Sequence, residues 1–214
     1  MEGAELMEHP IHTLADGAAS PALTSRLDAG IAAWVQLVDA VREAALHAQV
    51  VAAGEAVTNA LTGGHKILVA GNGGSAAIAS HVAAEFLGKC VHDRAPLPAI
   101  NLAESLSSVT AIGNDYGYEQ VFVRGVRGLG RAGDVYVAMS TSGRSPNIVA
   151  SLAAARELGI TTIAMTGAGG EHLRDDVDHL LVVPSHETPR IQEVHMLWAH
   201  AWCEAVDDLS QPGA

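Results

Sequence analysis

The sequence predicts an α/β fold, a three-layer αβα sandwich with a central parallel sheet, preceded by an amino-terminal helical pair. Two observations carry this prediction: five short apolar runs lack polar alternation, and helical segments separate them. Apolar runs of this kind are typical of strands buried on both faces of a parallel sheet, and their alternation with helices indicates a doubly wound arrangement. A length of 214 residues suits one domain. We expect a flexible tail at residues 1–20 and a single domain at residues 21–214.

The segment before the first strand predicts helices. Apolar residues between about 22 and 62 recur at helical spacing and end at Gly63-Gly64, which indicates two helices or one bent helix. The apolar face of this pair needs a cover. Packing against a partner subunit and packing on the protein's own sheet are equally good solutions.

The remaining elements follow in alternation. We expect strands at Ile67–Ala70, Ala99–Leu102, Val135–Ser140, Thr161–Thr166 and His179–Val183. We expect helices near 76–88, 104–112, 117–128, 145–158, 170–175 and 189–210. Ligands of such sheets bind beyond the carboxyl ends of the strands, so the loops that follow strands are where a site is expected.

Charge and composition exclude several functional classes. The net charge is −12, and the chain has only two lysines, Lys66 and Lys89, which argues against nucleic acid as a partner. Apolar residues never run together for about 18 positions, so we expect no membrane span. Cys90 and Cys203 lack the CxxC spacing of a zinc or redox motif and are expected to be reduced thiols. Since the first residues are acidic, unlike a secretory signal, we expect a cytoplasmic protein.

Two loops are candidates for phosphate binding. The first, Gly71-Asn-Gly-Gly-Ser75, joins a strand to a helix, and its glycines permit the close backbone approach that a phosphate at a helix start requires. Ser75 could cap that helix or donate its hydroxyl to a ligand. The second, Ser140-Thr-Ser-Gly-Arg-Ser145, offers hydroxyl groups at another helix start. Read singly, the first could be a tight turn and the second a helix cap.

Ionisable residues on two helices are candidates for metal binding or proton transfer. His81 and Glu85 are four residues apart, so they lie on one face of a helix. The last helix adds Gln192 and His200, whose Cα atoms are about 12 Å apart along an ideal helix. They can reach one ion only if their side chains point toward each other, or if they come from different subunits. His195 faces another side and is expected to serve packing or a hydrogen bond.

Assembled, these motifs resemble the SIS (sugar isomerase) domain family, specifically the sedoheptulose 7-phosphate isomerases, also called phosphoheptose isomerases. The likeness runs from about residue 25 to the end of the chain. Its markers are Gly71-Asn-Gly-Gly-Ser75, His81-x-x-x-Glu85, Gly113-Asn-Asp-Tyr-Gly117, Ser140-Thr-Ser-Gly143 with Ser145, and Arg190-Ile-Gln-Glu193 followed by His200. The chain departs from typical members in Ala76-Ala-Ile-Ala-Ser80, where they are more polar.

The resemblance implies roles for individual residues. The residues that would contact the sugar phosphate are Asn72, Gly73, Gly74, Asn114, Asp115, Ser140, Thr141, Ser142 and Ser145. His81, Glu85, Gln192 and His200 would surround one zinc ion per subunit, with Glu85 and His200 as the proton carriers. Ser75, Glu85 and Gln192 would also face the substrate. A homotetramer with active sites at its interfaces is implied as well, and it would cover the amino-terminal helices.

The implied reaction converts D-sedoheptulose 7-phosphate to D-glycero-D-manno-heptose 7-phosphate through an enediol, assisted by zinc. One alternative is a non-catalytic regulator, because the family includes a bacterial replication regulator that binds the initiator protein. Members of that branch lack the ionisable groups at Glu85 and His200, so their presence here favours an enzyme. The other alternative is an isomerase of a pentose or hexose phosphate, since these motifs do not report the length of the sugar.

Overall fold

The computed structural model describes residues 20–211. Within this range, the strands are β1 (Ile67–Gly71), β2 (Ala99–Asn101), β3 (Val135–Ser140), β4 (Thr161–Gly167) and β5 (His179–Val183). The α-helices are α1 (Pro21–Val41), α2 (Ala44–Thr62), α3 (Gly74–Leu87), α4 (Leu106–Tyr116), α5 (Gln120–Leu129), α6 (Pro146–Glu157) and α7 (Thr188–Leu209), and a 3-10 helix spans Ala168–Leu173. The predicted tail at residues 1–20 lies outside the described range, apart from Ser20, which caps α1.

The five strands form one parallel sheet in the order β2-β1-β3-β4-β5. After β1 the chain moves to the edge strand β2, whereas after β3 it moves the other way, to β4. The loops after β1 and β3 therefore leave in opposite directions and open a crevice between them, the switch point where ligands of such sheets bind. The two predicted phosphate loops follow these two strands.

Hydrophobic clusters cover both faces of the sheet, which confirms the predicted three layers. On one face, alternate strand residues such as Ile67 and Val69 pack with α2, α3 and α7. On the other, Leu68 and Ala70 pack with α5 and α6. Side chains alternate between the faces of a strand, so an apolar run without polar interruption serves both clusters.

The amino-terminal segment forms two helices that find different partners. Helix α2 lies on the protein's own sheet and buries Ala53, Val57 and Leu61. Helix α1 buries Leu37, whereas a stripe of larger apolar side chains along it is more than half exposed: Leu23, Leu27, Ile31 and Val35. Helix α2 is thus covered by the protein's own sheet, one of the two predicted solutions. The apolar stripe of α1 remains exposed.

Several helices begin or end at residues that differ from the prediction. Helix α3 begins at Gly74 instead of residue 76, because Gly73, with a φ of 54°, already serves as its N-cap. Helix α4 continues to Tyr116, which puts Asn114 and Asp115 in its last turn and not in a loop. The helical segment predicted near 170–175 is the 3-10 helix Ala168–Leu173. Between residues 20 and 211, none of the helices combines the length and the apolar character needed to cross a membrane.

Candidate active site

The glycine loop after β1 is shaped for a close backbone approach. A Cβ atom on Gly71 would lie 2.6 Å from the backbone of Ser75, so only glycine fits there. Gly73 caps α3 with a left-handed backbone and without a side chain. The first N–H groups of a helix lack intrahelical partners and favour an anion. Ser75 is buried in the first turn of α3 and is not its N-cap, which excludes the predicted capping role.

The serine loop after β3 gathers hydroxyl groups at the start of α6. The Oγ atom of Ser140 lies 3.0 Å from that of Ser145 and 3.5 Å from that of Ser142. Ser145 occupies the N-cap position of α6 yet makes no capping hydrogen bond with its side chain. The alternative that these serines serve only as a helix cap therefore fails at Ser145. The turn also needs Gly143, whose φ is 68° and whose Cβ would meet Gly170 at 2.4 Å.

An amide pair joins the two loops. The side chains of Asn72 and Asn147 exchange two hydrogen bonds of 2.9 Å, and the hydroxyl of Tyr118 donates to Oδ1 of Asn72 at 2.8 Å. Asn147 is only 1% exposed. The sequence analysis missed both Asn147 and Tyr118. A signal existed for Asn147, since it is the one polar residue in the otherwise apolar stretch 146–150 that begins α6.

Three ionisable side chains from α3 and α7 meet in one cluster, consisting of His81, Glu85 and His200. Nε2 of His81 lies 2.9 Å from Nε2 of His200 and 3.3 Å from Oε1 of Glu85. One ligand atom from each residue lies within 4.8 Å of the other two. Ligands of tetrahedral zinc at about 2.0–2.1 Å lie about 3.3 Å apart, and two imidazoles with one carboxylate are a donor set that zinc accepts. The cluster therefore fits such an ion.

Gln192 lies at the glycine loop. A Cβ atom on Gly74 would stand 2.5 Å from Nε2 and 2.7 Å from Oε1 of Gln192, so the amide rests directly on the first turn of α3. His200 belongs to the His81 cluster. The last helix thus touches α3 at both ends, with Gln192 beside the glycine loop and His200 beside Glu85.

Asn114 and Asp115 are exposed in the last turn of α4. The side-chain amide of Asn114 donates to Oδ1 of Asp115 at 2.8 Å. Within residues 20–211, no hydrogen bond joins either side chain to the two loops. The segment that follows them does reach the glycine loop, through Tyr118 and Asn72.

The half-buried Cys90 and the buried His195 are neutral at neutral pH. Burial and the neighbouring Glu85 raise the pKa of the Cys90 thiol to about 11. Nε2 of His195 donates to the carbonyl oxygen of Thr166 at 3.3 Å, which acts to raise the pKa of the imidazole. Burial outweighs this bond and lowers the pKa to about 4. His195 therefore serves packing and a hydrogen bond, as predicted.

The chain is similar to known proteins over most of its length. Residues 31–167, more than half of the 214 residues, match the SIS domain family. A phosphoheptose isomerase of Bradyrhizobium sp. (strain ORS 278) is 51% identical over 152 residues, which are 71% of this chain and 77% of that protein.

Two solved structures share both the fold and the sequence. The phosphoheptose isomerase from Neisseria gonorrhoeae has a TM-score of 0.80 and 42% identity, covering 87% of this chain and 99% of that one. The enzyme from Francisella tularensis has a TM-score of 0.82 and 34% identity, covering 87% and 98%. With the α/β sandwich and the described site, these likenesses show that the chain belongs to the SIS domain family and, within it, to the phosphoheptose isomerases, which are sugar-phosphate isomerases.

Proposed function

We propose that this protein interconverts D-sedoheptulose 7-phosphate and D-glycero-D-manno-heptose 7-phosphate. The observation that carries the proposal is the cluster of His81, Glu85 and His200. Two of its members lie on α3, the helix that begins at the glycine loop. Seven residues separate Gly74 from His81, a rise of about 10.5 Å along the helix. An extended seven-carbon sugar phosphate can span this distance, with its phosphate in the loops and its carbonyl end at the cluster.

The phosphate would be held by neutral donors. We assign this role to the glycine loop, the start of α3 and the hydroxyl groups of Ser140, Thr141, Ser142 and Ser145. The side-chain amide of Gln192 lies over Gly74, and Asn72 is held in place by Asn147. Asn114 and Asp115 would approach the sugar from the exposed last turn of α4. Backbone N–H groups at a helix start and hydroxyl groups together form an anion site without a lysine.

His81, Glu85 and His200 would hold one zinc ion per subunit. The family resemblance suggests Gln192 as a further ligand, but its amide rests on Gly74, so it would reach the ion only if its side chain turned toward the cluster. When bound, zinc supplies Lewis-acid polarisation of the substrate carbonyl. His81 would serve only to hold the ion. Glu85 has a second carboxylate oxygen, and His200 a second ring nitrogen, Nδ1, so both can hold the ion and still carry a proton.

The proton transfers would use Glu85 and His200. Glu85 removes a proton from C1 of the ketose, and the electron pair forms the C1–C2 double bond of an enediol as His200 protonates the carbonyl oxygen at C2. Glu85 then returns its proton to C2 and the O1 proton passes to His200, which gives the aldose and restores both groups. No net oxidation occurs, because C1 is oxidised as C2 is reduced. A positioned proton-transfer group contributes about 10²–10⁴-fold to the rate.

We further propose a homotetramer in the cytoplasm. The exposed α1 stripe, defined above as Leu23, Leu27, Ile31 and Val35, supports the assembly, because contiguous exposed apolar surface marks interaction sites. An apolar groove of about 640 Å³ between α2 and α7 supports it as well, with Val51, Leu197 and Trp202 in its lining. The free thiols Cys90 and Cys203 fit a reducing compartment.

A panel of ketose phosphates from five to seven carbons, assayed with zinc and after chelation, tests the proposal. We expect the seven-carbon substrate to give the highest kcat/KM and chelation to abolish turnover. Glu85→Gln and His200→Gln should each lower kcat by at least about 100-fold. A higher kcat/KM for a five- or six-carbon ketose phosphate would mean that this shorter sugar phosphate is the substrate. If no sugar phosphate is turned over and a protein partner co-purifies, the regulator alternative is correct.

A further inference from the structure

A buried ion pair closes the carboxyl-terminal end of α3. Nε of Arg94 donates to Oδ1 of Asp207 at 2.6 Å, and the two side chains are 2% and 0% exposed. Removing two charges from water is costly unless further hydrogen bonds satisfy them. The bonds that surround this pair therefore indicate what it holds together.

Asp207 binds the loop that follows α3. Its Oδ2 atom accepts hydrogen bonds from the backbone N–H groups of Cys90, Val91 and His92 at 3.0, 2.7 and 3.0 Å. Burial acts to raise the pKa of Asp207, but these N–H groups and the Arg94 guanidinium outweigh it, and the pKa is lowered below its ordinary value. Asp207 is therefore a carboxylate at neutral pH, fully occupied by one loop and one arginine.

Arg94 caps the last turn of α3. Its guanidinium donates to the backbone carbonyl of Glu85 at 2.9 Å and to that of Phe86 at 2.9 Å. The last carbonyls of a helix have no intrahelical partner, and a cation at this end is also favoured by the helix dipole. The residue whose carbonyl Arg94 holds is thus Glu85, a member of the ionisable cluster.

Asp207 of this pair belongs to α7, the helix that carries His200. Asp207 follows His200 by seven residues, or two turns, so the two residues lie on nearly the same side of α7. Arg94 and Asp207 therefore tie the end of α3 to α7, close to where Glu85 of one helix faces His200 of the other.

We propose that Arg94 and Asp207 are positioning residues that fix the separation of α3 and α7, and thereby hold Glu85 and His81 at the distance from His200 that metal binding and turnover require. The proposal rests on the function proposed above. Neither residue contacts the substrate in the proposed mechanism. Their effect passes through the backbone of Glu85 and through α7.

The chain offers a matched control outside α3 and α7. Asp134, just before β3, is also buried, and it accepts from the backbone N–H groups of Lys66 and Arg131 at 3.1 and 2.7 Å and from Nζ of Lys66 at 2.6 Å. It resembles Asp207 in burial, charge and kind of partner, but its partners precede β1 and β3 and belong to neither α3 nor α7. Its loss should cost stability without moving α3 against α7.

The test compares Asp207→Asn, Arg94→Lys and Asp134→Asn. Zinc affinity is measured by competition with a chromophoric chelator, kcat and KM by isomerase assay, and stability by thermal unfolding. We expect Asp207→Asn and Arg94→Lys to weaken zinc binding and lower kcat by at least about tenfold each, as loss of supporting partners around a metal does, with KM nearly unchanged. Asp134→Asn should lose comparable stability and keep zinc affinity and kcat within about twofold. Zinc affinity unchanged in the first two variants, or reduced as much in the third, overturns the proposal.

Hydrogen exchange in the unmodified protein decides the question if the variants do not fold. Coupling is reciprocal, so zinc binding should slow exchange of the Val91 amide by at least about fivefold relative to that of Arg131, which donates to the control Asp134. Equal slowing at both amides overturns the proposal. Zinc affinity and exchange need no substrate, so a folded protein that binds zinc but lacks isomerase activity overturns the proposed function and not this inference.

Discussion

The side-chain amides of Asn72 and Asn147 hold each other by two hydrogen bonds of 2.9 Å, one in each direction. Asn72 belongs to the loop after β1, and Asn147 to the first turn of α6 after β3. The pair therefore bridges the crevice at the switch point and fixes the glycine loop and the serine loop relative to one another.

Removing this bridge should weaken substrate binding more than it weakens the fold. In Asn147→Ala both bonds to Asn72 are lost and a small cavity forms, so we expect destabilisation of about 1–3 kcal/mol and a KM raised by about tenfold. Tyr118→Phe removes one bond to Asn72 from an exposed ring, and its KM should rise by a smaller factor. Steady-state kinetics together with urea unfolding would measure both effects. A KM unchanged in both variants contradicts the bridging role.

A Cβ atom on Gly74 tests the placement of Gln192. In Gly74→Ala the new methyl group would stand 2.5 Å from Nε2 of Gln192, and the end of that flexible side chain must move away. We expect KM or kcat to worsen by at least about tenfold while the melting temperature changes little, since no backbone is displaced. Gly128→Ala is the control, because a Cβ there meets nothing within 4 Å and alanine favours a helix. Equal kinetics for both variants would remove Gln192 from the site.

A negative charge in the α1 stripe should break the assembly. Burying a carboxylate in an apolar contact is costly, so Ile31→Asp should shift the protein to smaller oligomers in analytical ultracentrifugation. Ala29→Asp places the same charge on the exposed opposite side of α1 and should leave the mass unchanged. If Ile31→Asp sediments like the unmodified protein, the stripe is not an interface.

His195 makes stability depend on pH in the acidic range. Burial lowers its pKa to about 4 from an ordinary value of 6.5, so between these values the unfolded chain binds a proton that the folded chain does not. Stability is complete above pH 6.5 and falls as the pH drops toward 4, by about 3 kcal/mol from this group. His195→Gln should flatten this dependence in urea unfolding at pH 7 and pH 5 with chelator present, whereas His186→Gln, an exposed change, should not.

Much of this architecture could be predicted from sequence because local signals and tertiary structure agree. The strand predicted at Val135–Ser140 and the one at His179–Val183 match the structure to the residue, since apolar runs between turns fit a sheet covered on both faces. The boundary of α3 could not be predicted, because a left-handed Gly73 and a helical Gly74 look alike in a sequence.

The contacts of the site were harder to predict from the sequence than the fold. His81 and Glu85 share one helix, so their spacing alone predicted their contact. The contact between Asn72 and Asn147 joins residues that are 75 positions apart, and it depends on the exact register of β1 beside β3. The same holds for Arg94 and Asp207, which sequence reasoning did not single out. Contacts that depend on how two elements pack leave no periodic trace in either element.

The acidic composition has a consequence for how substrate arrives. The net charge is −12, and the groups assigned to the phosphate are neutral, so the long-range field of the protein repels a sugar phosphate while the loops attract it at close range. Repulsion of this kind slows diffusional encounter and is screened within about 10 Å at 0.1 M salt. Added salt should therefore speed the capture of substrate, opposite to enzymes that draw in phosphates with a basic surface.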